Sequence, residues 1–384
     1  MDDTTDRTGA TEISARLAEH IRAEIAAAGG LLPFDRFMDL ALYAPGLGYY
    51  VAGAVKLGRD GDFVTAPEIS PLFGRCLASQ CAEVLDRIGG GDLLELGAGT
   101  GTLAVEVLRA LEQADTLPER YLILEPSSDL QDRQRTLIRK RIPHLGGRCT
   151  WLTRLPSKLR GVVLANEVLD AMPVHRFRIR NDGGIDEICV AERAGALVEV
   201  SAPVRSPGLA DAVVALHAEG FAQDPGYASE INLRLPLWLK ALGLALDRGL
   251  ILLVDYGYPR PAYYQPDRTM GTLMCHLRHQ AHGDPYTHIG LQDITAHVDF
   301  TAVAEAGVAV GLDLAGFTTQ ANFLIGCGID RLLSESNEPF ELTPGAKQLL
   351  LPTAMGERFK VLGLTTGVDG PLRGFSIRDL RDRL

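Results

Sequence analysis

The residues best suited to chemistry begin at Leu93. Leu93-Leu94-Glu95-Leu96-Gly97-Ala98-Gly99-Thr100-Gly101 reads as an apolar strand ending in an acid and three alternate glycines, with a helix following at once. Glycines suit that place because the chain must turn sharply and let a ligand lie against its backbone at a helix N-terminus. The spacing is G-x-G-x-G rather than the G-x-G-x-x-G of dinucleotide sites, and Glu95 would repel a pyrophosphate but attract a cation. S-adenosylmethionine, with its positive sulfonium, is therefore expected rather than NAD. Glu95, Gly97, Gly99 and Gly101 are assigned to it. Glu125 joins them, because it ends the next apolar run, YLILEPS, 24 residues past Gly101, near the spacing of about 20 for a carboxylate that binds ribose hydroxyls. An ordinary tight connection is the alternative for a lone glycine turn, and the ordered set of strand, glycines, helix, strand and acid argues against it.

A second group lies in GVVLANEVLDAMPV, where Asn166, Glu167 and Asp170 follow an apolar strand. Carboxyl ends of parallel strands are where α/β folds build their sites. Asn166 is assigned to the cofactor, Glu167 and Asp170 to the acceptor. Two acids suit a guanidinium, which stays charged in water and needs carboxylates to orient it and balance its charge while a nitrogen lone pair is aimed at the methyl carbon. The alternative is that both acids cap a following helix.

Periodicity predicts the elements that position these groups. Ile13, Leu17, Ile21 and Ile25 mark an amphipathic helix between Thr11 and Gly29, and another helix runs from about Leu72 to Arg87. Pro33 to Gly74 is rich in Gly and Pro and reads as a structured loop region. From Asp92, strands at 93–96, 121–124, 150–153, 162–165 and 250–254 alternate with helices at about 102–111 and 129–140, the pattern of a parallel sheet covered on both faces. Residues 174–204 read instead as two or three antiparallel strands, and the chain after Asp255 as a long loop to about Gly290. Two last strands are expected at 313–317 and 359–364.

The composition narrows the class. The 384 residues are 46% hydrophobic and 23% charged, ordinary for a globular protein, and the net charge of −11 leaves no electrostatic footprint for nucleic acid. The longest apolar run, Leu250–Val254, is far short of the roughly 18 residues a spanning helix needs. Six scattered cysteines with no C-x-x-C, and an acidic N-terminus without an apolar signal core, lead us to expect a cytoplasmic protein. His276, His279 and His282 would share a face if helical, but no carboxylate of catalytic-zinc spacing accompanies them, so no metal is expected.

The segments GDFVTAPEISPLFG (61–74), ELGAGTG (95–101), NEVLDAMPV (166–174), LLVDYGY (252–258), DITAHVDF (293–300) and GERFKVLGL (356–364) resemble the MidA-like S-adenosylmethionine-dependent methyltransferases. The resemblance runs from about Leu31 to Gly367. It implies a seven-stranded class I methyltransferase (Rossmann-like) sheet, with an N-terminal helical and loop segment at 1–90 and a core at 91–384 carrying substrate-covering insertions at about 174–247 and 257–292. It places Asp62 and Glu68 in the cofactor and substrate cleft, whereas turn chemistry and helix capping are the plainer reading of those two. His297 and Asp299, in AHVDF, become catalytic candidates, with a structural hydrogen-bond pair as the alternative. Mitochondrial members of the family are protein arginine methyltransferases that act on a complex I subunit, so a protein arginine substrate is expected and a homodimer is left open. Methylation of a small molecule on oxygen or nitrogen, or a non-catalytic cofactor-binding assembly role, are the alternatives.

Overall fold

The computed structural model describes residues 3–52 and 65–384, and Asp62 lies outside them. The main sheet runs from edge to edge as Cys149–Leu152, Tyr121–Leu124, Asp92–Leu96, Leu159–Asn166, Leu246–Tyr258, Phe359–Thr366 and Asp313–Thr319. All neighbours are parallel except where Phe359–Thr366 runs against both of its partners. The two-residue strand Val298–Asp299 pairs with the end of Leu246–Tyr258 and raises the count to eight, correcting the expected seven.

Alternation along these strands feeds two apolar layers. Leu93, Val162, Leu164, Leu250 and Leu252 pack on one face with the helices Pro71–Ile88 and Thr102–Gln113. Leu94, Val163, Ile251 and Leu253 pack on the other with Leu235–Ala245 and Phe300–Ala309. Strands buried on both faces read as continuous apolar runs, which is why their positions were legible in the sequence.

A second, five-stranded sheet is antiparallel and holds His175–Ile179, Ile185–Arg193, Ala196–Pro203, Ala228–Ile231 and Leu32–Pro33. The N-terminal helix, Asp3–Ala27, covers it with Leu17, Ile21 and Ile25.

Two expected loops hold regular elements among their described residues. Within 33–74, Phe34–Tyr43 is a helix burying Phe34, Phe37, Met38 and Leu42, a helical stripe masked by the Pro and Gly residues that follow it. Within 255–290, the strand continues to Tyr258, and Met274–Leu277 pairs with Gln280–His282 in a hairpin whose other edge is Asp293–Thr295. That hairpin turns at Arg278 and His279, both at positive φ (49° and 62°). Such a turn normally announces itself through Asn-Gly or Gly-Gly, and this one has neither.

Candidate functional site

Gly97, Gly99 and Gly101 all have left-handed φ (63°, 52° and 87°), a region costly for residues with a Cβ. Gly97 and Gly99 line the main cleft. Gly101 sits at the N-cap of Thr102–Gln113, and a Cβ there would meet Gln134 at 3.2 Å, so it supports the loop from behind.

Glu95 is buried beneath the loop and accepts a hydrogen bond of 2.7 Å from the Tyr121 phenol. Burial pushes its carboxyl up to about 7, against the pull of the Tyr121 bond and with a further push from Glu125. Glu125 is also buried, which raises its pKa, and it accepts from the Ser127 amide (3.0 Å) and the Gln134 side chain (3.3 Å). One bond to each oxygen leaves lone pairs free for a pair of hydroxyls. The short helix Ala66–Ile69 closes over the loop, with the Thr100 hydroxyl donating to Glu68.

At the end of Leu159–Asn166 the chain turns without forming a helix, which removes helix capping as the role of Glu167 and Asp170. Glu167 has φ 52°, a strained conformation for a residue with a Cβ, and its amide is tied to the Val254 carbonyl at 2.9 Å. Asn166 donates to Glu167 Oε1 at 3.1 Å, while its own Oδ1 is buried with no partner. Burial pushes the Glu167 carboxyl up to about 8; Asp170 adds to this, and hydrogen bonds from Asn166 and the Ala66 backbone oppose it. Asp170 accepts from the Tyr256 phenol. Asp255 accepts from the amides of Leu169 (2.9 Å) and Asp170 (3.3 Å), fixing the turn that presents both acids. Burial raises the pKa of Asp170 and Asp255 alike.

One cleft thus gathers Glu68, Glu95, Gly97, Gly99, Glu125, Asn166, Glu167 and Asp170. Five of these are acids, and no Lys, Arg or His is found among the described residues that line it. Such a wall suits ligands that arrive positively charged. Tyr43, Tyr50, Thr100 and Trp238 also line it, and Gln134, Asp255 and Tyr256 support it from behind. Residue spacing gave no signal for the tyrosines, since they come from the segment read as loop.

His297 and Asp299 line a second cavity beside Arg260, and His297 packs edge-on against Tyr256, with centroids 5.1 Å apart, the phenol that donates to Asp170. Asp299 caps Phe300–Ala309 by accepting from the Thr301 and Ala302 amides (3.0 and 3.2 Å) and pairs with Arg260 at 3.4 Å. His297 stacks on Tyr258 and is lowered to about 4, chiefly by burial. His276 and His282 sit on paired strands rather than a helix. Among the described residues no group of three His, Cys, Asp or Glu side chains could hold a metal ion.

Residues 76–318 match a family described as S-adenosyl-L-methionine-dependent methyltransferases. The chain belongs to that family. It is a methyltransferase that uses S-adenosylmethionine, and the buried acids, left-handed glycines and orphaned Asn166 oxygen of its cleft fit such a ligand. The methyltransferase is 42% identical to a Burkholderia thailandensis protein solved with S-adenosyl-homocysteine bound, each chain covering 98% of the other, with a TM-score of 0.93. It is also 30% identical to the mitochondrial protein arginine methyltransferase NDUFAF7 of Danio rerio, over 91% of this chain and 87% of that one. The human NDUFAF7 is 29% identical over 91% of this chain and 83% of its own length.

Proposed function

We propose that the methyltransferase modifies arginine side chains of a protein substrate. The observation that carries this reading is the pair Glu167 and Asp170, two acids lining the cleft with no cation among the described residues that line it, and the names of the NDUFAF7 relatives support it.

Glu125 would accept from the ribose hydroxyls, Gly97 and Gly99 would let the ligand lie against the backbone, and Glu95, Glu68 and Asn166 would complete its polar surroundings. When bound, S-adenosylmethionine supplies an electrophilic methyl group on a sulfonium. Glu167 and Asp170 would hold the guanidinium and turn one nitrogen toward that methyl. The new N–C bond forms as the S–C bond breaks, and the substituted nitrogen gives up one proton. Once the arriving guanidinium has ionised it, Glu167 is suited to take the proton, because burial makes it a stronger base than an exposed carboxylate. The N-terminal segment would contribute the wall opposite. We also propose a cytoplasmic setting, in keeping with six free cysteines.

The test is to incubate the purified protein with methyl-labelled S-adenosylmethionine and a lysate of its own organism, then hydrolyse and analyse the labelled proteins. Label in methylarginines is expected. Label confined to small metabolites would overturn the arginine reading and leave the methyltransferase assignment intact.

A further inference from the structure

Tyr43 ends the Phe34–Tyr43 helix and Tyr50 follows in the next turn, both outside the sheet that carries the glycine loop. Their rings nevertheless line the same cleft as Glu167 and Asp170. The rings stack with centroids 5.6 Å apart and planes 21° from parallel. Each phenol is anchored: Tyr43 donates to the Ala171 carbonyl at 3.0 Å, and Tyr50 donates to Asp293 at 2.9 Å. Both side chains stay half-buried despite these anchors. Burial and the surrounding carboxylates raise both phenol pKa values, so the rings stay neutral.

We infer that the stacked Tyr43–Tyr50 pair is the acceptor-selecting wall of the cleft, receiving a flat guanidinium that Glu167 and Asp170 hold at its edge. The inference rests on the arginine reading and adds to it the residues that discriminate arginine from lysine. A guanidinium is planar, weakly hydrated and stacks on aromatic faces, so it can extend an existing ring stack while its N–H edge points at carboxylates. An ammonium is compact and strongly hydrated, and gains less from a flat wall. The anchors matter because a fixed ring loses no further freedom when the cation arrives. Ala171 directly follows Asp170, so the Tyr43 anchor also ties the aromatic wall to the acidic turn.

The test uses the full-length protein, labelled S-adenosylmethionine and two acceptor probes, the acetylated and amidated peptides Gly-Gly-Arg-Gly-Gly and Gly-Gly-Lys-Gly-Gly. Wild type should methylate the arginine peptide at least tenfold better than the lysine peptide in kcat/KM. Tyr43→Leu and Tyr50→Leu should raise KM for the arginine peptide tenfold or more, with S-adenosyl-homocysteine Kd within twofold of wild type, and Tyr43→Phe, which keeps the ring and loses only its anchor, should recover part of the loss. Should the leucine variants fail to fold, the wild type still decides: ring currents should move the arginine Cδ protons upfield when the peptide binds the protein loaded with S-adenosyl-homocysteine. Arginine methylation with unchanged KM in the leucine variants, or with no upfield movement, overturns this inference alone. Methylation restricted to uncharged acceptors overturns both it and the arginine reading.

Discussion

The side-chain amide of Gln134 donates to the carbonyl of Gly99 at 2.9 Å. The same amide reaches Glu125 Oε2, and the Gln134 oxygen accepts from the Trp151 indole at 2.8 Å. One buried side chain thus sets the glycine loop at a fixed place relative to the acid of the next strand. Gln134→Ala should weaken S-adenosyl-homocysteine binding by about 1–2 kcal/mol, since three hydrogen bonds, one of them to the Glu125 carboxyl, and the alignment they enforce are lost. Calorimetry on the folded variant checks this, and an unchanged Kd would remove the coupling.

Glu125 itself should matter more. Glu125→Ala is expected to cost about 1.5–3 kcal/mol of cofactor affinity, the range for hydrogen bonds to a charged group. Wild-type affinity in this variant would place the ribose elsewhere.

Glu167→Gln should leave cofactor Kd nearly intact while lowering turnover by about a hundredfold or more. The amide can still hydrogen-bond but cannot balance a cation or take its proton. Single-turnover kinetics beside a binding titration separate the two effects. Full turnover by the variant would defeat the role given to Glu167.

Asp299 offers a contrast. It caps a helix away from the cleft, so Asp299→Ala should lower stability by about 0.5–2 kcal/mol while kcat of the folded enzyme changes little. Denaturant melts and steady-state rates together check it. A large loss of kcat with full stability would return Asp299 to the catalytic group.

The acids also set a pH dependence. Glu95 and Glu167 titrate near 7 and 8 in the folded chain, against 4.5 in the ordinary carboxyl. The folded state therefore binds more protons than the unfolded one between those limits. The stability this provides is complete below about pH 4.5 and is lost as pH rises through 7 and 8. His297, lowered to about 4, works the opposite way but only below its ordinary value of 6.5. Lys360, lowered to about 8, does so only above that pH. Between pH 6.5 and 8 the ligand-free melting temperature should fall. The stabilisation given by S-adenosylmethionine should grow over the same range, because a cation prefers the ionised acids. Thermal melts with and without ligand measure both, and a flat ligand-induced shift would mean that no buried acid senses the cation.

Much of the sheet was legible because its signal is local. A strand buried on both faces must be apolar throughout, as in Leu250–Val254, and the left-handed turns at Gly97, Gly99 and Gly101 favour glycine at those positions. Spacing likewise exposed Glu125, Glu167 and Asp170, since each follows an apolar run and parallel strands end on one edge.

Other features have no local signature. Tyr43 and Tyr50 reach the cleft only because the N-terminal helices pack on the inserted sheet, and Gln134 reaches Gly99 only because its helix lies beside the loop. His297 and Asp299 share a short segment with the two-residue strand, and its pairing beyond Tyr256, at the carboxyl end of Leu246–Tyr258, sets them on a neighbouring cavity. Residue types and spacing therefore determined the glycine-loop side of the cleft, where backbone conformation restricts what each position can hold. Tertiary packing decided the side lined by Tyr43 and Tyr50, because its walls come from segments distant in sequence whose meeting depends on which apolar faces bury each other.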